Sequence, residues 1–156
     1  MTKTETLNSK VGPESLGFYL SRATIVFRGL LKQSLEESSL NKHIKPGMGN
    51  LMFALYEEDS QTKTALALKL LLSKMTITRL VRDVEKQGLV KTVADENDGR
   101  ATRVKLTPLA KRLEPEYRQI ARNLENKIST RFTQKQLSEF RNHLKTLLES
   151  LEEESS

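Results

Sequence analysis

Ser73-Lys74-Met75-Thr76-Ile77-Thr78-Arg79-Leu80-Val81-Arg82-Asp83-Val84-Glu85-Lys86-Gln87-Gly88 is the stretch on which the reading of this chain turns. Ser73 has a short hydroxyl side chain suited to accept from an unpaired first-turn amide. Gly88 stands where helices stop in the left-handed conformation. At 100° per residue, Ile77, Leu80, Val81 and Val84 fall within an arc of about 100°, which predicts the core side of a helix over 74–87. Opposite that arc stand Met75, Arg79, Arg82 and Lys86, with Thr78 on one flank and Asp83 on the other. The outer face is therefore basic, with one apolar side chain among the cations. Near a helix N-terminus a methionine can contact a thymine methyl. Arg79 and Arg82 are long enough for guanine edges or phosphates, and Lys74 and Thr76 in the first turn suit phosphates.

Upstream, Thr62 is placed to cap a short helix over Lys63–Leu70, followed by a tight turn. That helix is unusually apolar, with Ala65, Leu66, Ala67, Leu68 and Leu70. Its period alone does not bury both Leu68 and Leu71, and both are expected to pack in the core. Downstream the period changes. Leu89–Ala94 and Thr102–Leu106 are rich in Val, Thr and Leu, and the second alternates Val104 and Leu106 with Arg103 and Lys105. Asp95 to Ala101, with Gly99, is turn chemistry, so a hairpin is expected. A short helix, a turn, a basic helix and a hairpin follow the order of a winged helix-turn-helix, whose second helix enters the major groove. Arg100 and Arg103 are expected at the wing tip to reach the minor groove, and Asp98, two residues before Arg100, to hold that guanidinium in place.

On the N-terminal side, Leu16, Tyr19, Leu20, Ala23, Val26, Phe27, Leu30, Leu31 and Leu35 predict a long amphipathic helix from Glu14 to about Asn41. Its stripe is wide enough for one side to pack on its own chain and another on a partner. After Lys45-Pro46-Gly47, Leu51, Met52, Phe53, Leu55 and Tyr56 predict a second helix. On the C-terminal side, Thr107-Pro108 opens a helix that carries Pro115 inside it, with a kink expected near Lys111. Thr133-Gln134-Lys135-Gln136 fits a capping box for a last helix through Leu151. Residues 1–13 read as a loose arm and Glu152 to Ser156 as a frayed acidic tail.

The net charge of +6 is unevenly spread. Residues 1–59 hold seven Lys/Arg against seven Asp/Glu, 60–112 twelve against five, and 113–156 seven against eight. The excess sits on the helix and hairpin just described, as expected for a surface that neutralises phosphates. With 156 residues there is room for one ordinary domain, and the 37% apolar share is lean enough that oligomerisation would help it. The chain has no cysteine, which excludes disulfides, thiolate metal sites and a thiol nucleophile, and a reducing cytoplasm fits. Lys69 interrupts the longest apolar stretch, Ala65–Leu72, far short of the roughly 20 residues a bilayer needs, so no membrane role is expected. His43 and His143 lack ligand spacing and no glycine-rich phosphate loop occurs, so neither catalysis, a metal nor a cofactor is expected. The competing reading is a winged-helix module for protein contact through Leu68 and Leu71.

From Thr62 to Thr107 the chain resembles the MarR family of bacterial transcriptional regulators, through Ser73 to Val81, Glu85-Lys86-Gln87-Gly88-Leu89-Val90, Asp95-Glu96-Asn97-Asp98-Gly99-Arg100 and Leu106-Thr107. The resemblance implies a mainly α fold with a small β-hairpin wing. Residues 45–107 would form the winged helix-turn-helix DNA-binding domain, and 14–44 and 108–156 the N- and C-terminal dimerisation helices. It implies a homodimer on a pseudo-palindromic operator in double-stranded DNA, usually a repressor, often released by a small anionic or phenolic ligand. By position it carries DNA contacts onto Lys74, Met75, Thr76, Thr78, Arg79, Arg82 and Arg100; Lys86 and Arg103 are added on electrostatic grounds. A ligand pocket between the two parts would be touched by Tyr19, Phe53, Tyr56 or Tyr117. The chain departs from the family at three places. Arg82-Asp83 stands where Asp-Arg is common, Leu71 where the turn often has glycine, and Lys91-Thr92 where an acid and an arginine are usual.

Overall fold

The computed structural model of the chain describes residues 12–96 and 98–153. Among these, the elements run α1 (Leu16–Glu36), a 3-10 turn (Ser39–Lys42), α2 (Gly49–Glu57), β1 (Gln61–Thr62), α3 (Lys63–Leu70), α4 (Lys74–Lys86), β2 (Val90–Ala94), β3 (Thr102–Leu106), α5 (Pro108–Ser129) and α6 (Gln134–Glu153). Of the expected arm, residues 1–11 lie outside the described residues, as do 154–156 of the tail.

The helix starts follow local capping chemistry. Thr62, Ser73 and Thr107 each accept the amide of the third residue on, from Ala65, Thr76 and Ala110 at 3.1, 3.2 and 3.2 Å. Thr133 and Gln136 form the reciprocal box. The Thr133 amide donates to Oε1 of Gln136 at 2.9 Å and the Gln136 amide to Oγ1 of Thr133 at 3.3 Å. Gly88 closes α4 at φ 72°, where its amide donates to the Glu85 carbonyl. α5 continues through Pro115.

α1 ends five residues before the expected Asn41, at Glu36. Ser38 is the cause: its hydroxyl donates back to the Leu35 carbonyl and accepts the Leu40 amide, which starts the 3-10 turn.

A third strand was not expected. Two-residue β1 joins the hairpin to make an antiparallel sheet in the order β1-β3-β2. Gln61 pairs with Val104 and Thr62 with Arg103, while β2 and β3 pair from Val90–Leu106 to Ala94–Thr102. Buried Gln61 holds this corner by donating to the carbonyls of Ala54 and Glu58. Asp59 completes it. One carboxylate oxygen accepts the amides of Ser60 and Leu106, and the other meets Lys111 at 3.2 Å.

The core lies between α2, α3, α4 and the sheet, around Leu51, Met52, Leu55, Leu66, Ile77, Val81, Val84, Leu89 and Val104. Leu68 departs from expectation: it is 75% exposed, because Leu66 supplies the buried residue of α3, backed by half-buried Ala67 and Leu70. Leu71 is half-buried and left-handed, at φ 52° and ψ 50°. The Leu72 amide reaches back to the Ala67 carbonyl at 2.9 Å, so leucine makes the reversal that glycine would make without strain of about 1 kcal/mol. A single exposed leucine is ordinary surface and not a docking patch.

Candidate nucleic-acid interface

α4 is fastened by its apolar side. Ile77, Val81 and Val84 are buried, and the opposite side carries Lys74, Met75, Arg79, Arg82 and Lys86, all exposed. Met75, at 84% exposure, holds its thioether away from any core contact. Lys74, Met75, Thr78, Arg79 and Arg82 line one surface cleft, so five of the side chains singled out in the sequence share one working surface. Thr76 and Thr78 are half-buried and partly committed. The Thr76 and Ser73 hydroxyls lie 2.9 Å apart, and Thr78 donates to the Lys74 carbonyl at 2.8 Å. Thr78 is therefore an acceptor toward an incoming group before it is a donor, whereas between Ser73 and Thr76 either hydroxyl can donate.

Among the described residues, none of Lys74, Arg79, Arg82, Lys86 and Arg100 has a carboxylate partner, whereas Lys69, Arg103, Lys111, Arg118 and Arg141 each pair with an acid. Cations without local partners are the ones available to phosphates. Glu85, on α4, is used inward: its carboxylate accepts the Thr92 amide at 2.8 Å and ties β2 to the helix.

The wing differs from expectation in two ways. Asp98 accepts the backbone amide of Arg100 at 3.0 Å, and no ion pair to the guanidinium forms. Two residues of turn bring the carboxylate to the amide first, and the Arg100 side chain stays exposed. Arg103 is not at the tip. It lies in β3 opposite Val93 and Thr62, its Nε donating to the buried Asp95 carboxylate and its terminal nitrogen to the Ser60 carbonyl at 2.7 Å. Sequence reasoning placed Asp95 in the turn and gave the part of holding an arginine to Asp98. The position of Asp95 directly after β2, facing an arginine of the paired strand, was the available signal.

A cavity of about 460 Å³ opens between α1, α2 and α5, lined by Phe27, Leu31, Phe53, Tyr117 and Leu124 among others. Of the four aromatics expected there, Phe53 and Tyr117 line it and Tyr19 and Tyr56 do not. Tyr56 is buried against Tyr117 and donates to the Ala110 carbonyl at 2.9 Å. The Tyr117 hydroxyl donates to the Gly49 carbonyl at 2.6 Å, and burial pushes its pKa up to about 12. Arg118 binds Glu57 at 2.8 Å, Glu114 at 2.7 Å and the Tyr56 carbonyl at 3.1 Å, and those acids hold its pKa above the usual value. Lys45, at the rim, donates to the Asn41 carbonyl and has no carboxylate partner among the described residues. Among the described residues no acidic or histidine cluster could hold a metal, and no helix is long and apolar enough to cross a membrane.

The MarR family model matches residues 49–102, from the start of α2 to the first residue of β3. Over that stretch the chain is similar to the MarR family. The fold agrees with solved structures over most of the chain. A MarR transcriptional regulator from Methanosarcina mazei Go1 is 27% identical over 86% of this chain and 94% of that one, with a TM-score of 0.68. The S. aureus MepR-DNA complex is similar at 20% identity, 87% and 98% coverage and a TM-score of 0.73. The PcaV transcriptional regulator from Streptomyces coelicolor, in complex with its natural ligand, is similar at 16% identity, 87% and 93% coverage and 0.74. No curated protein matches the sequence. The chain thus has the mainly α winged helix-turn-helix fold of these regulators.

Proposed function

We propose that this protein is a MarR-family homodimeric repressor of a pseudo-palindromic operator, with α4 in the major groove and Arg100 in the flanking minor groove. The observation that carries this is the α4 surface: cations with no carboxylate partner among the described residues surround an exposed methionine, opposite a helix side fixed in the core. Lys74, Thr76 and Lys86 then serve phosphates, while Met75, Thr78, Arg79 and Arg82 face base edges. Arg103 contributes through the fold and not by contact.

Dimerisation is supported by apolar side chains that the chain itself leaves uncovered. Leu16, Phe18, Ile25 and Phe27 on α1, and Phe140 and Leu148 on α6, are exposed, and Phe132 stacks on Phe140 at 6.2 Å. Residues 14–44 and 108–156 are read as the dimerisation parts and 45–107 as the DNA-binding part. MepR was captured with DNA and PcaV with a ligand, and the cavity beside α2 is the place where a small molecule would act on this chain. Lys45 at its rim suits a small anionic or phenolic compound.

The test is a titration of the purified protein against its own upstream intergenic DNA and a scrambled duplex at two salt concentrations, with the mass of the complex measured alongside. A saturable, salt-sensitive preference with two chains per site is expected. Equal weak binding to both duplexes would sink the operator assignment, and binding by a single chain would sink the dimer.

A further inference from the structure

We infer that Asp95 and Arg103 form a brace that sets the direction of the wing tip, making both positioning residues for Arg100; this rests on the reading of Arg100 as the minor-groove contact. Asp95 follows directly after β2 and is 8% exposed. One of its carboxylate oxygens accepts the Asp98 amide at 3.3 Å, and the other accepts Nε of Arg103. The same guanidinium donates to the Ser60 carbonyl, immediately before β1. Ser60 is itself left-handed, at φ 62°, with its amide held by Asp59. Asp98 in turn accepts the amide of Arg100. An unbroken line of hydrogen bonds therefore runs from the foot of α3, through Arg103 and Asp95, to the backbone of the exposed arginine.

Two five-residue strands alone make a hairpin that twists easily. The brace removes that freedom where it matters, because it fixes the tip against β1 and hence against the helices that position α4. A guanidinium is required. Its planar fork addresses Asp95 with one nitrogen and Ser60 with another, whereas a lysine ammonium is a point donor on a flexible stem. Without Arg103, Asp95 would be a buried carboxylate lacking its guanidinium partner and the tip turn would shift toward water.

The test is a double-mutant cycle on the full-length protein with the tightest duplex it selects from a random pool. Arg100→Ala is expected to weaken binding about tenfold, and Arg103→Lys by about fivefold. The double variant should bind no more weakly than Arg100→Ala alone. Hydroxyl-radical protection of the flanking minor groove should fall in Arg103→Lys, while protection of major-groove guanines from methylation stays at the wild-type level. Asp95→Asn repeats the cycle from the other partner, and thermal melts set a temperature at which every variant is folded. Losses that multiply in the double variant, or an Arg103→Lys protein that binds like wild type, would overturn the brace. An Arg100→Ala protein with wild-type affinity, or no selected duplex, would overturn the minor-groove reading beneath it.

Discussion

α1 and α4 are both amphipathic helices, and they end in opposite conditions. α4 puts Ile77, Val81 and Val84 into the core and leaves cations outside. α1 buries only Leu35 near its end and leaves Leu16, Phe18, Tyr19, Ile25, Val26 and Phe27 substantially exposed. α4 has its apolar side covered by its own chain, and most of the α1 stripe is not covered by the described residues. An apolar stripe therefore announces burial without saying against what, and under the proposed dimer the free energy that fixes α1 comes from the partner chain.

The sharpest way to break that comparison is a charge on each stripe. Val81→Asp places a carboxylate in the core behind α4 and should cost more than about 4 kcal/mol, abolishing a cooperative melt. Ile25→Glu should leave the helical circular-dichroism signal in place but halve the mass in solution and weaken operator binding by about 100-fold, since two linked reading heads act as one. A dimeric Ile25→Glu protein of unchanged affinity would remove α1 from the interface. Within α4, Arg82→Ala should cost about 1–3 kcal/mol and relax preference at one base step, whereas Lys86→Ala should weaken every duplex alike and reduce the salt slope by about one. Equal losses on all sequences from both would refute the division into base reader and phosphate anchor. Thr107→Ala removes the cap of α5 and should lower stability by about 1 kcal/mol in a urea titration, leaving DNA contacts unchanged at equal folded fraction.

The smallest effect concerns acid. Burial pushes the Asp59 carboxyl up, but the Leu106 and Ser60 amides and Lys111 outweigh it and hold its pKa below the usual 3.8. A depressed carboxylate stabilises the fold above its unfolded pKa, and that contribution is lost as pH falls through the folded value. Urea midpoints should therefore drop as pH falls below about 4, and Asp59→Asn should show a shallower acid limb. An unchanged limb would mean that the corner at β1 is indifferent to this charge.

What could be read in advance was what is local. Ser73, Thr62, Thr107 and the Thr133–Gln136 box act within three residues, so their spacing alone marked four helix starts. The composition of α4's two sides was legible for the same reason. Choices settled across the chain were not. Gln61–Thr62 is too short to carry a strand signal and becomes one only through Val104 and Arg103. Arg103 had Asp95, Glu96 and Asp98 within reach along the sequence, and pairing of β2 with β3 selected Asp95. Leu68 had the composition of core, yet α3 needs one fully buried position and Leu66 fills it.

The sheet order also dictates when, during synthesis, the reading surface comes into being. α2, α3 and α4 also pack on one another, through contacts close in sequence that can form as they emerge from the ribosome. β1 pairs with β3 and not with β2, and Ser60 waits for Arg103, 43 residues later. Until Val104 and Leu106 have been made, α3 and α4 have no sheet to hold their angle. A nascent chain stalled inside the wing would present the basic helix without its aim, and specific recognition would begin with the closing of a two-residue strand.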